Sequence, residues 1–273
     1  MLEAVSSGAQ VKAWRPAMDG VVEVLHAYFP SHAYPSHTHD AWTVLIVDEG
    51  AVRYDLDHRE HGLAQAQVSL LPPNVPHDGR SVHPEGFRKR VLYLDPDRLG
   101  GAGLVGAAVD TPEYVDPVLR HRIHQLHGVL VDGREDLEAQ SRLTLIEERL
   151  QQHLRRQVIA SPDRRDAGVA TKLREVLDGH LPSGISLDEA SKLVHAHPAH
   201  LVRAFSREYG MPPHRYLTGR RVDLARRYLL EGRPAAEVAV LAGFYDQSHL
   251  NRHFRKMLGI SPSKFARPRQ PCS

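Results

Sequence analysis

The six residues HLVRAF (His200–Phe205) return 49 residues later as HLNRHF (His249–Phe254). The match keeps the same offset on both sides of these stretches, at Ala190/Ala239, Gly210/Gly259, Pro213/Pro262 and Tyr216/Phe265. A repeat that holds its register over this length indicates a structural unit that occurs twice. Stacked solenoids generally need three or more copies, so we expect two paired units rather than a solenoid.

Each copy predicts a short helix, a tight turn and a second helix. The first copy has the segments SLDEASKLV, HAH and PAHLVRAFSREYG, and the second has PAAEVAVLA, GFYD and QSHLNRHFRKMLG. Ser186 and Glu189 form a capping-box pattern, and Pro198 stands where a helix begins. Gly210 and Gly259 stand where the second helices must end. This order of elements predicts two helix-turn-helix units, joined by a helix over residues 213–230.

The second helix of each copy separates its residues by face. Leu201 and Phe205 are four residues apart and share one face, as do Leu250 and Phe254. The opposite face carries Ala199, Val202, Arg203 and Ser206 in the first copy, and Ser248, Asn251, Arg252 and Arg255 in the second, with Gln247 at the helix start. Arg suits guanine, Asn and Gln suit adenine, and small apolar side chains suit the thymine methyl group. An ordinary solvated face is the alternative for one helix alone, but two faces in register favour DNA binding.

The charge is distributed unevenly along the chain. Residues 161–273 contain 19 Lys and Arg against 11 Asp and Glu, a net charge of +8, whereas residues 1–160 carry −6. A basic C-terminal part predicts a polyanionic partner.

Several classes of protein are disfavoured by simple features of the chain. The chain has no run of 18 apolar residues, so no membrane span is predicted. The first residues lack the pattern of a secretory signal. Cys272 is the only cysteine, so no disulfide framework is expected. We therefore expect a cytoplasmic protein, associated with the nucleoid if it binds DNA.

The N-terminal part predicts a different architecture. Between residues 20 and 95 the chain contains the short runs VVEVLHAYF, WTVLIV, AVRYDL, AQVSLLP and FRKRVLYLD, separated by turn residues. Such spacing predicts a β-sandwich or barrel. A loop is expected over residues 96–112, then helices over residues 117–131 and 134–159, then a linker over residues 161–168. The second helix has an apolar stripe (Leu137, Leu143, Ile146, Leu150, Leu154) that either meets a partner helix in a homodimer or covers the barrel.

Residues from about 170 to 268 resemble the DNA-binding region of the AraC/XylS family of bacterial transcription regulators. The resemblance is carried by SLDEASKLV, HLVRAFSREYGMPPHRYL, RRVDLARRYLL and AEVAVLAGFYDQSHLNRHFRKMLGISPSKF. It implies two recognition helices in successive major grooves of promoter DNA, with RNA polymerase as a further partner if the protein activates transcription. It implies DNA contacts from Ala199, Val202, Arg203, Gln247, Ser248, His249, Asn251, Arg252 and Lys256. Arg221 and Lys264 are expected, with Lys256, to bind phosphates.

Three histidines stand out in the N-terminal part. SHTHDAW (Ser36–Trp42) contains His37 and His39, and PPNVPHDG contains His77. If His37 and His39 share the interior side of a strand, His77 could complete a three-histidine set. The pattern resembles the cupin barrel that serves as the sensor in many AraC-type regulators. Cupin enzymes carry a Glu four or five residues after the second His, where this chain has Thr43 and Val44.

Three roles compete for these histidines. They could bind an organic effector with Trp42, Tyr54 or Tyr93 as stacking walls, hold a divalent metal, or be satisfied by neighbouring groups. We favour an effector site formed by His37, His39, Trp42 and His77, with a divalent metal on the same histidines as the alternative. No catalytic residue or other cofactor is assigned.

The fold class is therefore α+β and multi-domain. We expect a cupin-like effector-binding barrel over residues 1–110, a helical linker or dimerisation segment over residues 111–165 and an all-α double helix-turn-helix domain over residues 166–273. The predicted function is sequence-specific, effector-controlled regulation of transcription. The competing hypotheses are a metal-dependent cupin enzyme fused to a DNA-binding domain and a nucleoid protein without sequence preference.

Overall fold

The computed structural model describes residues 9–30, 33–100, 102–133, 136–156 and 166–265. The chain divides into two compact units, Met1–Gly133 with Arg142–Pro162, and Arg134–Ser141 with Asp163–Ser273. The helices predicted as a separate linker thus belong mostly to the first unit. Residues 161–165 of the predicted linker, the predicted helix ends at 134–135 and 157–159, and Cys272 lie outside the described residues.

The first unit contains two antiparallel sheets. The strands are β1 (Gln10–Trp14), β2 (Val21–Phe29), β3 (Ala33–His37), β4 (Trp42–Glu49), β5 (Val52–Leu56), β6 (Arg59–Leu63), β7 (Val68–Leu71), β8 (His77–Ser81), β9 (Phe87–Leu94) and β10 (Glu113–Tyr114). Six strands form one sheet in the order β1-β2-β9-β4-β7-β10, and four form the other in the order β3-β8-β5-β6. This arrangement confirms the predicted cupin-like β architecture.

Strand β4 is buried along its length from Trp42 to Val47. Side chains alternate between the two faces of a strand, and Leu45 and Val47 pack with Tyr54 and Phe87 in a core of buried residues. Val44 and Ile46 occupy the opposite face and are also buried. Both faces of this strand are therefore covered, which explains its continuous apolar run.

Three helices follow the strands: α1 (Val105–Asp110), α2 (Pro117–Asp132) and α3 (Asp136–Leu154). The segment predicted as a loop over residues 96–112 instead contains two 3-10 turns and α1. Helix α2 contacts the six-stranded sheet, since His26 Nε2 lies 3.1 Å from His127 Nδ1 and Arg90 Nη2 lies 2.8 Å from His124 Nδ1. It thereby covers the outer face of that sheet.

The apolar stripe of α3 is buried within the chain. Each of its members is at most 9% exposed: Leu137, Leu143, Ile146, Leu150 and Leu154. These side chains are therefore buried by the chain itself, and of the two roles considered for the stripe the burial favours the one within the monomer. Sequence periodicity identifies an apolar face but does not say whether the chain itself or a second copy covers it.

Asp116 joins α2 to α3. Its carboxylate caps α2 by accepting hydrogen bonds from Val118 N and Leu119 N, and it accepts a 2.6 Å hydrogen bond from Arg149 Nε on α3. His153 Nε2 lies 2.8 Å from the same carboxylate. Burial opposes ionisation, but these hydrogen bonds outweigh it and lower the pKa of Asp116 to about 2.

The second unit is helical. Its helices are α4 (Ala167–Gly179), α5 (Leu187–Val194), α6 (Pro198–Tyr209), α7 (Pro213–Leu230), α8 (Ala235–Leu241), α9 (Gln247–Leu258) and α10 (Pro262–Phe265). The pairs α5–α6 and α8–α9 are the two predicted helix-turn-helix units, and Ser186 and Glu189 make both hydrogen bonds of the predicted capping box. Among the described residues, none of the helices combines the length and apolar character needed to cross a bilayer.

The turn of the second helix-turn-helix unit requires glycine. Gly243 has a φ of +80°, and a Cβ placed there would lie 2.0 Å from the carbonyl oxygen of Pro182. Gly210, which follows α6, has a φ of +67° but no heavy atom within 4 Å of the corresponding Cβ position. The two glycines thus differ in close contact and not in backbone conformation.

The Asp116→Asn variant tests the link between α2 and α3. The pKa of Asp116 is lower in the folded chain than in the unfolded chain, so its charge stabilises the fold above pH 4 and this contribution is lost as the pH falls toward 2. The variant should lose unfolding free energy at pH 7, and the difference from the parent should shrink below pH 4. Urea unfolding followed at several pH values measures it, and a difference independent of pH would contradict the assignment.

The Gly243→Ala and Gly210→Ala pair tests the close approach to Pro182. Gly210→Ala should cost about 1 kcal/mol, because only the left-handed backbone conformation opposes it. Gly243→Ala adds a backbone collision and should cost at least about 3 kcal/mol. Thermal unfolding followed by helical circular dichroism compares the two, and equal losses would exclude the contact.

Candidate DNA-reading face and histidine cavity

The polar stripe of α9 lies on the surface of the second unit. Gln247, Ser248, Arg252 and Lys256 are exposed and Asn251 is partly exposed. The helix is held from its other side, because Leu250 and Phe254 are fully buried among residues of α7 and α8. Asp246 caps the helix by accepting a 2.7 Å hydrogen bond from His249 N. These contacts leave five predicted DNA-binding residues on one accessible face.

Two predicted base-contacting residues of α6 are buried. Ala199 is 0% exposed and Val202 is 3% exposed, whereas Arg203 is partly exposed. The assignment of Ala199 and Val202 to an outward face is therefore wrong. Their apolar character, which suggested contact with a thymine methyl group, also makes burial favourable, and α6 packs against α4, α5 and α7.

His249 is also buried, contrary to the role that the family resemblance implies. It is 3% exposed, and its Nδ1 accepts a 3.2 Å hydrogen bond from Tyr245 N. Its ring meets the ring of Phe244 edge-on at 5.4 Å. His249 therefore fixes the turn before α9 and does not belong to the accessible stripe.

The residues expected to bind phosphates fall into two groups, exposed and engaged by the protein. Lys256 on α9 and Lys264 on α10 are exposed. Arg221 instead donates hydrogen bonds to Pro182 O at 3.1 Å and to Ser183 O at 2.9 Å, so its guanidinium holds a loop of the protein.

Tyr245, in the turn before α9, is 74% exposed and was not predicted as a DNA-binding residue. An aromatic residue in a helix-turn-helix turn is the signal that could have found it.

His37, His39 and His77 converge in the first unit. His37 ends β3 and is paired in register with His77 at the start of β8, while His39 lies in the segment leading to β4. The ring centroids lie 4.6 to 5.1 Å apart. One ring nitrogen of each histidine lies within 4.8 Å of the others. The structure therefore brings together the three histidines that the sequence singled out.

Each of these rings has one nitrogen engaged by the protein. His37 Nδ1 lies 2.8 Å from Pro35 O and His77 Nδ1 lies 3.0 Å from Val75 O. A carbonyl oxygen only accepts, so both Nδ1 atoms donate and the lone pair is left on Nε2. His39 Nδ1 lies 3.2 Å from Thr43 Oγ1. The three rings are thus oriented through Nδ1.

Two of the three histidines, His39 and His77, favour the neutral form. Burial, followed by repulsion from His77 and His37, lowers the pKa of His39 to about 4. Burial is also the main cause that lowers the pKa of His77. Neutral imidazole can present an unprotonated nitrogen at neutral pH.

The histidines line a small cavity between the sheets. The cavity has a volume of about 80 Å³, and Thr43, Tyr54 and Tyr93 contribute to its wall. Both tyrosines are among the stacking walls that the sequence suggests for an effector site. Tyr54 also donates a 2.6 Å hydrogen bond to Glu113 Oε1, and the ring of Tyr93 meets that of His39 at 5.2 Å.

Lys89 is a cavity residue that sequence reasoning missed. Its Nζ lies 5.8 Å from the ring centroid of Phe29 and 6.0 Å from that of Phe87, and burial lowers its pKa to about 8. Alternation along β9 places Lys89 on the same face as Phe87, Val91 and Tyr93. This alternation was visible in FRKRVLYL and could have identified the lysine.

Trp42 lies on the wrong face of its strand to reach the cavity. It is 1% exposed, and its indole Nε1 donates a 2.9 Å hydrogen bond to Pro96 O. Because successive side chains of a strand point to opposite faces, Thr43 faces the cavity and Trp42 faces away. The assignment of Trp42 to the effector site is therefore wrong.

Two family models match the chain. The model described as "AraC-like ligand binding domain" matches residues 19–154, and the model described as "Helix-turn-helix domain" matches residues 190–268. The first match spans β2 to β10 with α2 and α3, and the second spans α6 and α9.

Similar proteins carry regulatory names. YbfI of Bacillus subtilis, an uncharacterized HTH-type transcriptional regulator, is 22% identical over 224 residues that cover 80% of this chain and 81% of that protein. RhaS of Escherichia fergusonii, an HTH-type transcriptional activator, is 22% identical over 254 residues that cover 88% and 90%. A solved structure of a transcriptional regulator with an AraC-type DNA-binding domain, from Chromobacterium violaceum, is 21% identical over 37% of this chain and 94% of that chain. Its TM-score is 0.35, too low to compare the folds.

Proposed function

The chain belongs to the AraC/XylS family of transcriptional regulators, and from this premise we propose that it binds promoter DNA sequence-specifically under the control of a small effector bound among its barrel histidines. The observation that carries the DNA-binding part is the stripe of Gln247, Ser248, Asn251 and Arg252 on the accessible side of α9.

The chemistry of this stripe matches the edges of bases in the major groove. The guanidinium of Arg252 can donate two hydrogen bonds to guanine, and the amides of Asn251 and Gln247 can each donate to and accept from adenine. Lys256 follows Arg252 by one helical turn and carries its charge where a phosphate would flank the groove. Helix α9 is therefore proposed to read the sequence.

Helix α6 is proposed to make a smaller contribution. With Ala199 and Val202 buried, Arg203 remains as the base-reading candidate among the residues predicted on this helix. Two recognition helices on one face of DNA contact major grooves about one helical turn apart. We expect the half-site facing α9 to be the more strongly specified of the two.

Control by an effector is proposed to work through a shift of populations. An effector changes DNA binding only if it binds one conformation of the chain more tightly than another. The cavity at His37, His39 and His77 is the proposed effector site, because it combines buried walls with ring nitrogens of fixed orientation.

A regulator is favoured over a cupin enzyme. Thr43 occupies one of the two positions where cupin enzymes carry a carboxylate, and it forms a hydrogen bond with His39. Asp78 also lines the cavity, but its Oδ1 accepts a 2.7 Å hydrogen bond from Asp55 N and it pairs with Arg80 at 3.7 Å. We therefore assign the cavity to ligand binding and propose no catalytic residue.

The Arg252→Ala and Lys256→Ala variants separate base reading from phosphate binding. Genomic fragments selected by the parent protein supply the operator, and single-base variants of that operator are then titrated. Arg252→Ala should cost about 1–3 kcal/mol and remove the preference at one base pair. Lys256→Ala should weaken binding to all sequences alike and reduce the salt slope by about 1.

Arg233→Ala is the matched control. It also removes one positive charge, and Arg233 precedes α8, where it is paired with Glu231 and Glu237. Binding should stay at the parental level on every sequence. An equal loss on every DNA for Arg252→Ala would contradict its base-reading role, and failure of the parent to select any sequence would contradict the proposed function.

A further inference from the structure

We propose that the barrel cavity binds a divalent transition-metal ion through His37, His39 and His77, and that the ion's remaining coordination positions take a small anionic oxygen ligand beside Lys89. The inference deepens the proposed function, since it identifies the effector as this ion together with its anion. Within the described ranges of the chain, this is the one place where three or more His, Cys, Asp or Glu side chains could hold a common ion.

The hydrogen bonds to Nδ1 prepare the rings for coordination. Metal-bound histidines almost always donate their second ring N–H to a carbonyl, carboxylate or water, which fixes both tautomer and orientation. Pro35 O and Val75 O provide this for His37 and His77. Thr43 Oγ1 provides it for His39 when Nδ1 carries the proton. Nε2 would then be the ligand atom of each ring, and coordination requires the neutral imidazole.

The size of the cavity argues for an ion over an organic effector. Sites for organic ligands usually measure 300 Å³ or more, on the order of four times the volume here. The cavity, at about 80 Å³, is much smaller. A metal ion with one small ligand fits this space, whereas a sugar or an aromatic acid requires the walls to move.

The donor set selects the kind of ion. Three imidazoles without a thiolate suit Zn²⁺, Co²⁺, Ni²⁺ and Cu²⁺, while Mg²⁺ and Ca²⁺ prefer oxygen ligands. Three protein ligands leave at least one position open on a tetrahedral ion. A site of this kind can therefore exchange an outside ligand.

Lys89 favours an anionic ligand at the open coordination position of the ion. An ammonium group alone would oppose a cation in the same cavity, and the three histidines add no negative charge. An oxygen anion bound to the ion would be attracted by both positive charges. Coulomb attraction is stronger in a poorly hydrated cavity than in water. The wall that contains Lys89 is otherwise mainly apolar, with Leu45, Phe87 and Val91 nearby, so the anion must be small.

Binding of the ion would connect the two sheets. His37 and His77 lie on adjacent strands of the four-stranded sheet, whereas His39 precedes β4 of the six-stranded sheet. The segment of His39 is held to the rest of the barrel by the hydrogen bond from Asn74 N to His39 O, at 2.7 Å. Coordination would fix the segment between β3 and β4 and so favour one conformation of the barrel.

Titration of the full-length protein with Co²⁺ tests the site, because the visible spectrum of Co²⁺ reports its coordination. We expect one equivalent to bind, with Zn²⁺ competing for the same site. His37→Gln and His39→Gln should each weaken Co²⁺ binding at least about 100-fold, since even loss of a supporting partner costs 10–100-fold. His83→Gln is the matched control, because His83 is exposed and outside the cluster.

Two variants that leave the three histidines in place keep the test valid if a histidine variant fails to fold. Thr43→Val keeps the shape of the side chain but removes the hydrogen bond to His39, and it should weaken Co²⁺ binding about 10-fold. Lys89→Gln should retain the metal but lose the change in the Co²⁺ spectrum that acetate produces in the parent. An unchanged response to acetate in Lys89→Gln would overturn the assignment of the anion.

The outcomes separate this inference from the proposed function. Absence of Co²⁺ binding, or binding that His37→Gln and His39→Gln leave intact, overturns the metal site even if the protein selects operator DNA. Binding at the cavity that leaves operator affinity unchanged, with and without acetate, overturns the ion as effector. Loss of operator selection with an intact metal site contradicts the proposed function alone.

Discussion

The contact between the turn of the second helix-turn-helix unit and Pro182 is the interaction on which the DNA-binding unit depends. Gly243 passes so close to the Pro182 carbonyl that no side chain fits, and Arg221 donates to the same oxygen. Pro182 precedes α5, the first helix of the other helix-turn-helix unit. This contact ties the turn before α9 to the segment before α5, and so links the two helix-turn-helix units.

The sequence predicted the repeated architecture well, because its signals are local or periodic. The capping box at Ser186, the glycines after α6 and α9, and the Leu and Phe positions of both copies all occupy the expected places. Failures occurred where residue type does not determine the face. Ala199 and Val202 suit either a base or a core, so only the packing of α6 decides between the two.

The histidine cavity shows the same division. The spacing of His37, His39 and His77 was sufficient to expect their convergence, which pairing of β3 with β8 brings about. The prediction for Trp42 is wrong because strand alternation directs Thr43 inward instead. The double burial of β4 hides this alternation, since every residue from Trp42 to Val47 is buried and polar residues do not mark an outer face.

The proposed control of DNA binding by an effector would require energetic coupling between the two units of the chain. A ligand shifts an equilibrium only by its difference in affinity between the two states, and a shift from 1:99 to 99:1 needs about 5.5 kcal/mol. A cavity of about 80 Å³ offers few van der Waals contacts, each worth on the order of 0.1–0.2 kcal/mol. A small ligand can supply the required difference here only through strong directional bonds. Coordination by three oriented imidazoles provides such bonds, and it is lost if the segment of His39 moves away.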